Sequence, residues 1–423
     1  MSTGVFRVQL PQLGTIEGCE GDVVAFCGVP YATLRDRLSE PLLKDQYESP
    51  IDATKSGPAS PSPPGAFQLE MTLMQQNLPD PELVTSDTEQ LNLNIWVPKQ
   101  EDGGLPRANS LPVFVWIHGG GFVSGSASYP HYDLTELVRL SVELGKPIIG
   151  VGVNFRLGML GLLTSNELRS TGYKPNNQLR DQQVALEWLR KHIADFGGAV
   201  DQITLAGEST GAANMIKYVQ ASSMAIFAAH KKPGVAQKFP QFMRQVLADH
   251  RPAVDELLAA YGFSNEQLDD EAGFKAFLSF INDIGYFAAT YSFGKGWGPN
   301  TYTFLLNEKN PWSGMFQGQS MHVIDVTLLF QNFKNDLPPA MVEAGKQMAG
   351  DLFTFVWGSA PWPSKGTKVY GPSSWDAKAT DATSKVVDDI LAAETGRRRA
   401  MIDIGESIGF DKIASAYGAF MAS

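Results

Sequence analysis

"QITLAGESTGAAN", residues 202–214, decides the fold. A run of strand character reaches Gly207, a serine stands at 209, a second glycine at 211, and a helix-forming stretch begins at once. A strand that turns straight into a helix forces its turn residue into strained backbone angles. The residues two places to either side must then be small for the chain to pass itself. Gly207 and Gly211 meet that demand around Ser209. The N-terminal amides of the following helix point toward the serine hydroxyl, where they stabilise a developing oxyanion. Gly-x-Ser-x-Gly also occurs by chance in long chains; a strand before it and a helix after it give the pattern its meaning.

The neighbouring sequence supplies that context. "LNLNIWVP" (91–98), "LPVFVWIHGGG" (111–121) and "KPIIGVGVNF" (146–155) read as strands. "YDLTELVRLSVELG" (132–145) is an amphipathic helix closed by Gly145, and "NQLRDQQVALEWLRKHIADFG" (177–197) is a long helix ending near Gly197. Strands alternating with helices imply a mostly parallel central sheet covered by helices on both faces, an α/β fold. Earlier, residues 4–31 read as short strands and turns, and "SGPASPSPPG" (56–65) is a Pro/Ser/Gly loop. From 221 to 300 the pattern turns helical, with no convincing buried strand. "NTYTFLLN" (300–307) is again a strand, and "HVIDVTLLFQNF" and "PPAMVEAGKQMAGDLFTFVWG" complete the core. The cluster Arg397–Arg399 is read as a solvated helix face. There are no internal repeats, and the expectation is one domain over 1–423.

Composition narrows the function classes. The 423 residues are 43% hydrophobic and 19% charged, an ordinary globular balance with enough apolar mass for a large core. A net charge of −11 argues against nucleic acid or an anionic membrane surface as partner. Cys19 and Cys27 flank a turn and read as two small apolar thiols rather than a disulfide. No stretch approaches the roughly 18 apolar residues that span a bilayer. With no charged-then-apolar leader at the N-terminus, the expected compartment is cytoplasmic. No cofactor or metal is expected.

A second constellation, "WIHGGGFVSG" (116–125), follows an apolar strand. Consecutive glycines let backbone N–H groups approach a substrate oxygen, as an oxyanion hole requires. The same glycines do not make a phosphate site, since the P-loop lysine and the spaced dinucleotide glycines are both missing. Elbow and glycine run together specify acyl transfer.

These blocks resemble the type-B carboxylesterase/lipase family, which includes cholinesterases and fungal lipases. The likeness rests on "FCGVPYA", "LNLNIWVP", "VFVWIHGGGFVSGS", "VGVNFRLGMLGLLTS", the run from Asn176 to Gly211, and "TYTFLLNEKNPWSGMFQGQSMHVIDVTLLFQ". It implies an α/β-hydrolase fold, a small-molecule ester substrate and a serine acyl-enzyme. By position it implies Ser209 as nucleophile and His322 as general base. It also implies Gly120, Gly121 and the Thr210 amide as oxyanion hole, with Glu208 as a supporting acidic neighbour. The family's usual residue after the serine is alanine; threonine keeps the amide. Chain order independently favours His322, because the base follows the nucleophile, and His230 and His250 sit in polar contexts.

The triad's acid is harder to place. The interval between Ser209 and His322 is roughly half that of the family by resemblance. The strand ending in the family's glutamate has no counterpart, so the sheet is expected to lack two late strands. Most carboxylates between serine and histidine lie on polar helix faces. Asp283, in an apolar setting, and Asp325, three residues past the histidine, are the two weak candidates, and the acid stays unassigned. The alternative reading is therefore a catalytically silent relative, or a truncated isoform, lacking the acid.

Overall fold

The computed structural model describes residues 4–212, 234–263, 268–298, 300–314, 317–375, 383–388 and 396–422. They fall into two compact units. The first comprises residues 1–219, 306–361 and 370–384, and the second 220–305, 362–369 and 385–423.

The first unit is built on one mixed sheet. Its strands are β1 (Val5–Leu10), β2 (Gly14–Cys19), β3 (Val23–Pro30), β6 (Ile51–Ala53), β7 (Asn92–Pro98), β8 (Leu111–Ile117), β9 (Ile149–Val153) and β10 (Gly198–Gly207). A separate small ribbon pairs β4 (Ala32–Thr33) with β5 (Leu42–Leu43). The main order is β1-β2-β3-β7-β9-β8-β10, with β6 beside β2. β1, β2 and β3 meet antiparallel, joined by short turns, and β3 pairs antiparallel with β7 across a long intervening segment. β9, β8 and β10 are parallel, because helices intervene between them.

The pleat divides the central strands between two cores. Val113, Val115 and Ile117 of β8 face a cluster that contains Trp188, Leu189, Ile193 and Phe196 at the end of the long helix Asn177–His192. Phe114 and Trp116, the alternate residues, face the opposite cluster with Leu137, Val138, Phe330, Ala349 and Phe353. Successive strand side chains point to opposite faces, so an all-apolar strand is what a sheet covered on both sides requires. β7, β8 and β9 are buried along their whole length. A buried ion pair, Arg156 with Asp181, fastens the turn after β9 to the long helix, at 2.7 Å with both side chains fully buried.

β10 differs. Its middle is half-exposed, and Leu205 shows 39% of its surface. Among the described residues no strand pairs with its outer side. The elbow strand is thus the last described strand of its sheet, as the shortened interval predicts. The expected helix after the elbow begins at Thr210, and its remainder lies outside the described residues.

The second unit is largely helical, with helices Val235–Val246, Arg251–Ala260, Asp270–Asn282, Ala288–Trp297, Arg397–Ile408 and Phe410–Ala422. Phe239, Phe277, Phe280 and Phe420 pack edge to face at its centre. The arginine cluster is not simply a solvated face. Arg397 and Arg398 each reach the fully buried carboxylate of Asp283, at 2.8 and 3.0 Å, while Arg399 pairs with Asp403. A buried carboxylate demands compensating charge, and a sequence reading had no means of seeing that it lay beneath this helix. Three short strands, β11 (Thr303–Leu306), β12 (Thr367–Tyr370) and β13 (Ser384–Val387), form a small sheet of their own. Cys19 and Cys27 are free thiols, and the Cys19 Sγ lies 3.1 Å from the Thr54 carbonyl. Among the described residues no helix is long and apolar enough to cross a membrane.

Candidate active site

Ser209 sits at φ 51°, one of few non-glycine residues in the left-handed region. L-residues with a β-carbon avoid that region, so a serine held there marks an over-determined turn. The small neighbours are a steric necessity. A Cβ on Gly207 would stand 2.6 Å from the Gly211 carbonyl carbon, and one on Gly211 would stand 2.6 Å from the His118 carbonyl oxygen. The Gly211 amide closes the turn on the Glu208 carbonyl at 2.8 Å.

The glycine run folds back over this elbow. Gly120 and Gly121 both adopt positive φ, 109° and 63°, and Phe122 follows at 65°. Among the described residues none accepts a hydrogen bond from the Gly120 or Gly121 amide. Thr210 contributes more than its amide. Its Oγ1 accepts from the Phe122 amide at 3.3 Å, while the Phe122 carbonyl accepts from Gly158 at 2.7 Å. The threonine hydroxyl thus ties the glycine loop to the first turn after the serine.

Glu208 is buried against Gly119, so closely that a Cβ on that glycine would collide with the carboxylate. Its Oε1 lies 2.8 Å from Nε2 of His322, whose ring is about half-exposed at 49%. His322 occupies the loop between β11 and the helix Ile324–Phe330. Consecutive Cα atoms are about 3.8 Å apart, so a ring that touches residue 208 has been brought to the elbow. Partial burial disfavours the imidazolium, but the Glu208 carboxylate outweighs it, with Asp325 adding to the effect, and the His322 pKa is raised to about 9.

The other Glu208 oxygen lies 3.2 Å from the Tyr132 hydroxyl, which is also 2.7 Å from Oε1 of Glu70. Glu70 in turn meets Nε2 of His131 at 3.1 Å. Burial works against the Glu70 charge, and His131 and Tyr132 reverse that, holding its carboxyl below the usual range.

The two candidate acids fare differently. Both oxygens of Asp283 are engaged, Oδ2 by Tyr261 and Arg397 and Oδ1 by Arg398, within the second unit. Asp325 stands in the first turn of the helix after His322, half-buried. Burial and the nearby Glu208 charge push its carboxyl upward, against the opposing pull of His322, and no contact between it and the imidazole nitrogens is seen among the described residues. His250 lies in the second unit beside Lys412, and His230 falls outside the described residues. The carboxylate that does reach the imidazole, Glu208, precedes the serine. A search confined to positions between serine and histidine passes over it as an acid. Its adjacency to a strained elbow was the available signal.

A mixed sheet ending in an elbow serine beneath a glycine loop defines an α/β-hydrolase. Superposition on a solved structure of a PNB esterase gives a TM-score of 0.64 at 18% identity, covering 90% of this chain and 97% of that one. The carboxylesterase family model matches residues 5–232, more than half of the chain, and the chain belongs to that family. It is 37% identical over 197 residues to Lipase 3 of Yarrowia lipolytica, covering 45% of this chain and 37% of the relative. Para-nitrobenzyl esterase of Bacillus subtilis is 34% identical over 209 residues, covering 48% of this chain and 38% of the relative. The cholinesterase of Mus musculus is 35% identical over 225 residues, 50% and 32% respectively. The matched stretch spans less than two fifths of the length of each of these three relatives.

Proposed function

We propose that the chain is a serine carboxylic-ester hydrolase that works through an acyl-enzyme on Ser209. The observation that carries this reading is the serine at φ 51° beneath the glycine loop, with the imidazole of His322 at the same elbow. In the proposed reaction the Ser209 hydroxyl attacks the ester carbonyl carbon and its proton passes to the neutral imidazole. The carbonyl oxygen becomes an oxyanion held by the Gly120, Gly121 and Thr210 amides. The C–O bond to the alcohol then breaks, and the alcohol leaves with the proton from His322. Water repeats the sequence on the acyl-enzyme, releasing a carboxylic acid and restoring the serine.

Glu208 takes the part of the missing third member by the same physics that defines that part: a carboxylate beside the imidazole stabilises the imidazolium formed during attack. Loss of the third residue costs about 10⁴-fold in the serine-protease example of such a triad, so even an imperfect substitute matters. Substrates are small-molecule esters; the class of relatives that match, lipases and para-nitrobenzyl esterase among them, supports that chemistry.

The test is covalent labelling by a fluorophosphonate together with hydrolysis of a short p-nitrophenyl ester. Wild type should label and turn over, and Ser209→Ala should do neither. An unlabelled wild type, or equal labelling of the alanine variant, overturns the reading in favour of a catalytically silent carboxylesterase-like chain.

A further inference from the structure

One feature of the first unit is not needed by a serine, a histidine and one carboxylate. Behind Glu208 runs a buried chain of polar groups: His131, Glu70, Tyr132 and then Glu208 itself, which leads to His322. Two carboxylates face one phenolic hydroxyl, and a hydroxyl has one proton to donate. It lies nearer Glu70, at 2.7 Å, than Glu208, at 3.2 Å. The direction of that hydroxyl therefore decides which carboxylate has part of its field damped by a donor and which is left to act on its other neighbours.

His131 decides the direction. The ring is almost wholly buried, and among the described residues its Nδ1 has no hydrogen-bond partner. A buried nitrogen without a partner is least costly as a bare lone pair, which places the proton on Nε2, toward Glu70. Phe67, Tyr129 and Tyr132 hold the ring in place on its faces and edges. Glu70 is therefore supplied with donors from both His131 and Tyr132 and remains an anion although it is buried. Tyr132, committed to Glu70, then draws little charge from Glu208.

We propose that Glu70, held by His131, is a positioning residue that keeps the Tyr132 hydroxyl turned to its own side, so that the Glu208 carboxylate faces His322 undamped by that donor. This rests on the esterase reading for its meaning in catalysis, but the electrostatic coupling itself does not. The titratable and charged groups that face the chain are Glu70 from the helix Ala66–Met74, His131 and Tyr132 from the turn Pro130–Tyr132 and His118 from the end of β8. Glu208 at the elbow, with His322 and Asp325 beyond it, completes the set.

The experiment is an NMR titration of the His322 Cε1–H resonance in the full chain, assigned by its absence in His322→Gln, alongside the pH profile of kcat/KM. In Glu70→Gln the midpoint of His322 should fall by on the order of one pH unit. In a Tyr132→Phe background the same Glu70→Gln change should shift it by less than half as much, since the hydroxyl that couples the two carboxylates is gone. Should Glu70→Gln fail to fold, His131→Phe, which suits the aromatic surroundings and removes the donor to Glu70, should lower the midpoint in the same direction. An unchanged midpoint in Glu70→Gln or in His131→Phe overturns the proposal, and so does an equal shift with and without the Tyr132 hydroxyl. Because the resonance is read without substrate, failure of Ser209 to label would sink the esterase reading while leaving this result to stand or fall alone.

Discussion

The imidazole of His322 lies 2.8 Å from the carboxylate of Glu208, the residue immediately before Ser209. The pair has consequences for both pH and rate. A histidine raised to about 9 is protonated at neutral pH, and a protonated base cannot take the serine proton. The acid limb of kcat/KM should therefore lie near pH 9 in wild type. Glu208→Gln removes the charge that holds the proton, so the limb should move to lower pH while turnover on the plateau falls. A limb that stays where it is in Glu208→Gln would break the link between the two residues.

The same pair makes a stability prediction with the opposite slope. The folded pKa of His322 is raised above the ordinary 6.5 of an unfolded histidine. Its contribution to stability is thus fully present below about pH 6.5 and is lost as pH rises toward about 9. The Tm difference between wild type and Glu208→Gln should shrink across that window. A difference that grows with pH would show that the pair is not charged in the folded state.

Thr210 offers a rate prediction free of charge effects. Its hydroxyl accepts from the Phe122 amide and so fixes the glycine loop over the elbow. Thr210→Ala should leave that amide without its partner and lower kcat/KM by about tenfold, less than the 10²–10³-fold typical of deleting a direct oxyanion donor. Thr210→Ser keeps the oxygen and should retain most activity. Equal losses in the two variants would mean that the methyl group, and not the hydroxyl, matters.

The elbow, the glycine loop, the covered central strands and the loop position of His322 were all legible in the sequence, because each rests on local chemistry. Small residues flank a strained turn, apolar runs mark buried strands, and Gly145 and Gly197 mark helix ends at positive φ. What the sequence hid is pairing across the chain. Glu70, His131 and Tyr132 come from a helix and a turn well before the serine, and nothing in their local sequence shows that they meet Glu208. Asp283 was singled out correctly as an acid in an apolar setting. Its partners, Arg397 and Arg398, are more than a hundred residues away, so its local setting gave no sign of the charges that compensate it.

Gly211 tests the turn itself. A methyl group there would press on the carbonyl oxygens of Ile117, the last residue of β8, and of His118 just after it, which are backbone atoms and cannot rotate away. Gly211→Ala should be destabilised by about 1–3 kcal/mol, as overpacking typically is, and should lose labelling at Ser209 even in the fraction that folds. Full labelling and an unchanged Tm would show that the elbow is looser than its contacts imply.

The Arg156–Asp181 pair carries the last expectation. Both side chains are fully buried, and Asp181 receives the Arg156 backbone amide at 3.0 Å, the Nε at 2.9 Å and the terminal nitrogen at 2.7 Å. Arg156 also donates to the carbonyls of Arg37 and Ser39, at 3.1 and 2.7 Å, so one guanidinium joins three separate segments. Burial alone pushes the Asp181 carboxyl up, and the guanidinium opposes this. Cutting one partner strands the other in a dry interior, which costs about 3–5 kcal/mol. Asp181→Ala should therefore lose a large part of the stability margin of the protein, measured by urea unfolding. The double variant Arg156→Met/Asp181→Leu should recover much of that loss, since apolar replacements of similar volume remove both charges together. If the double variant is as unstable as the single one, the pair is holding the three segments in place by its hydrogen bonds rather than merely satisfying its own charges.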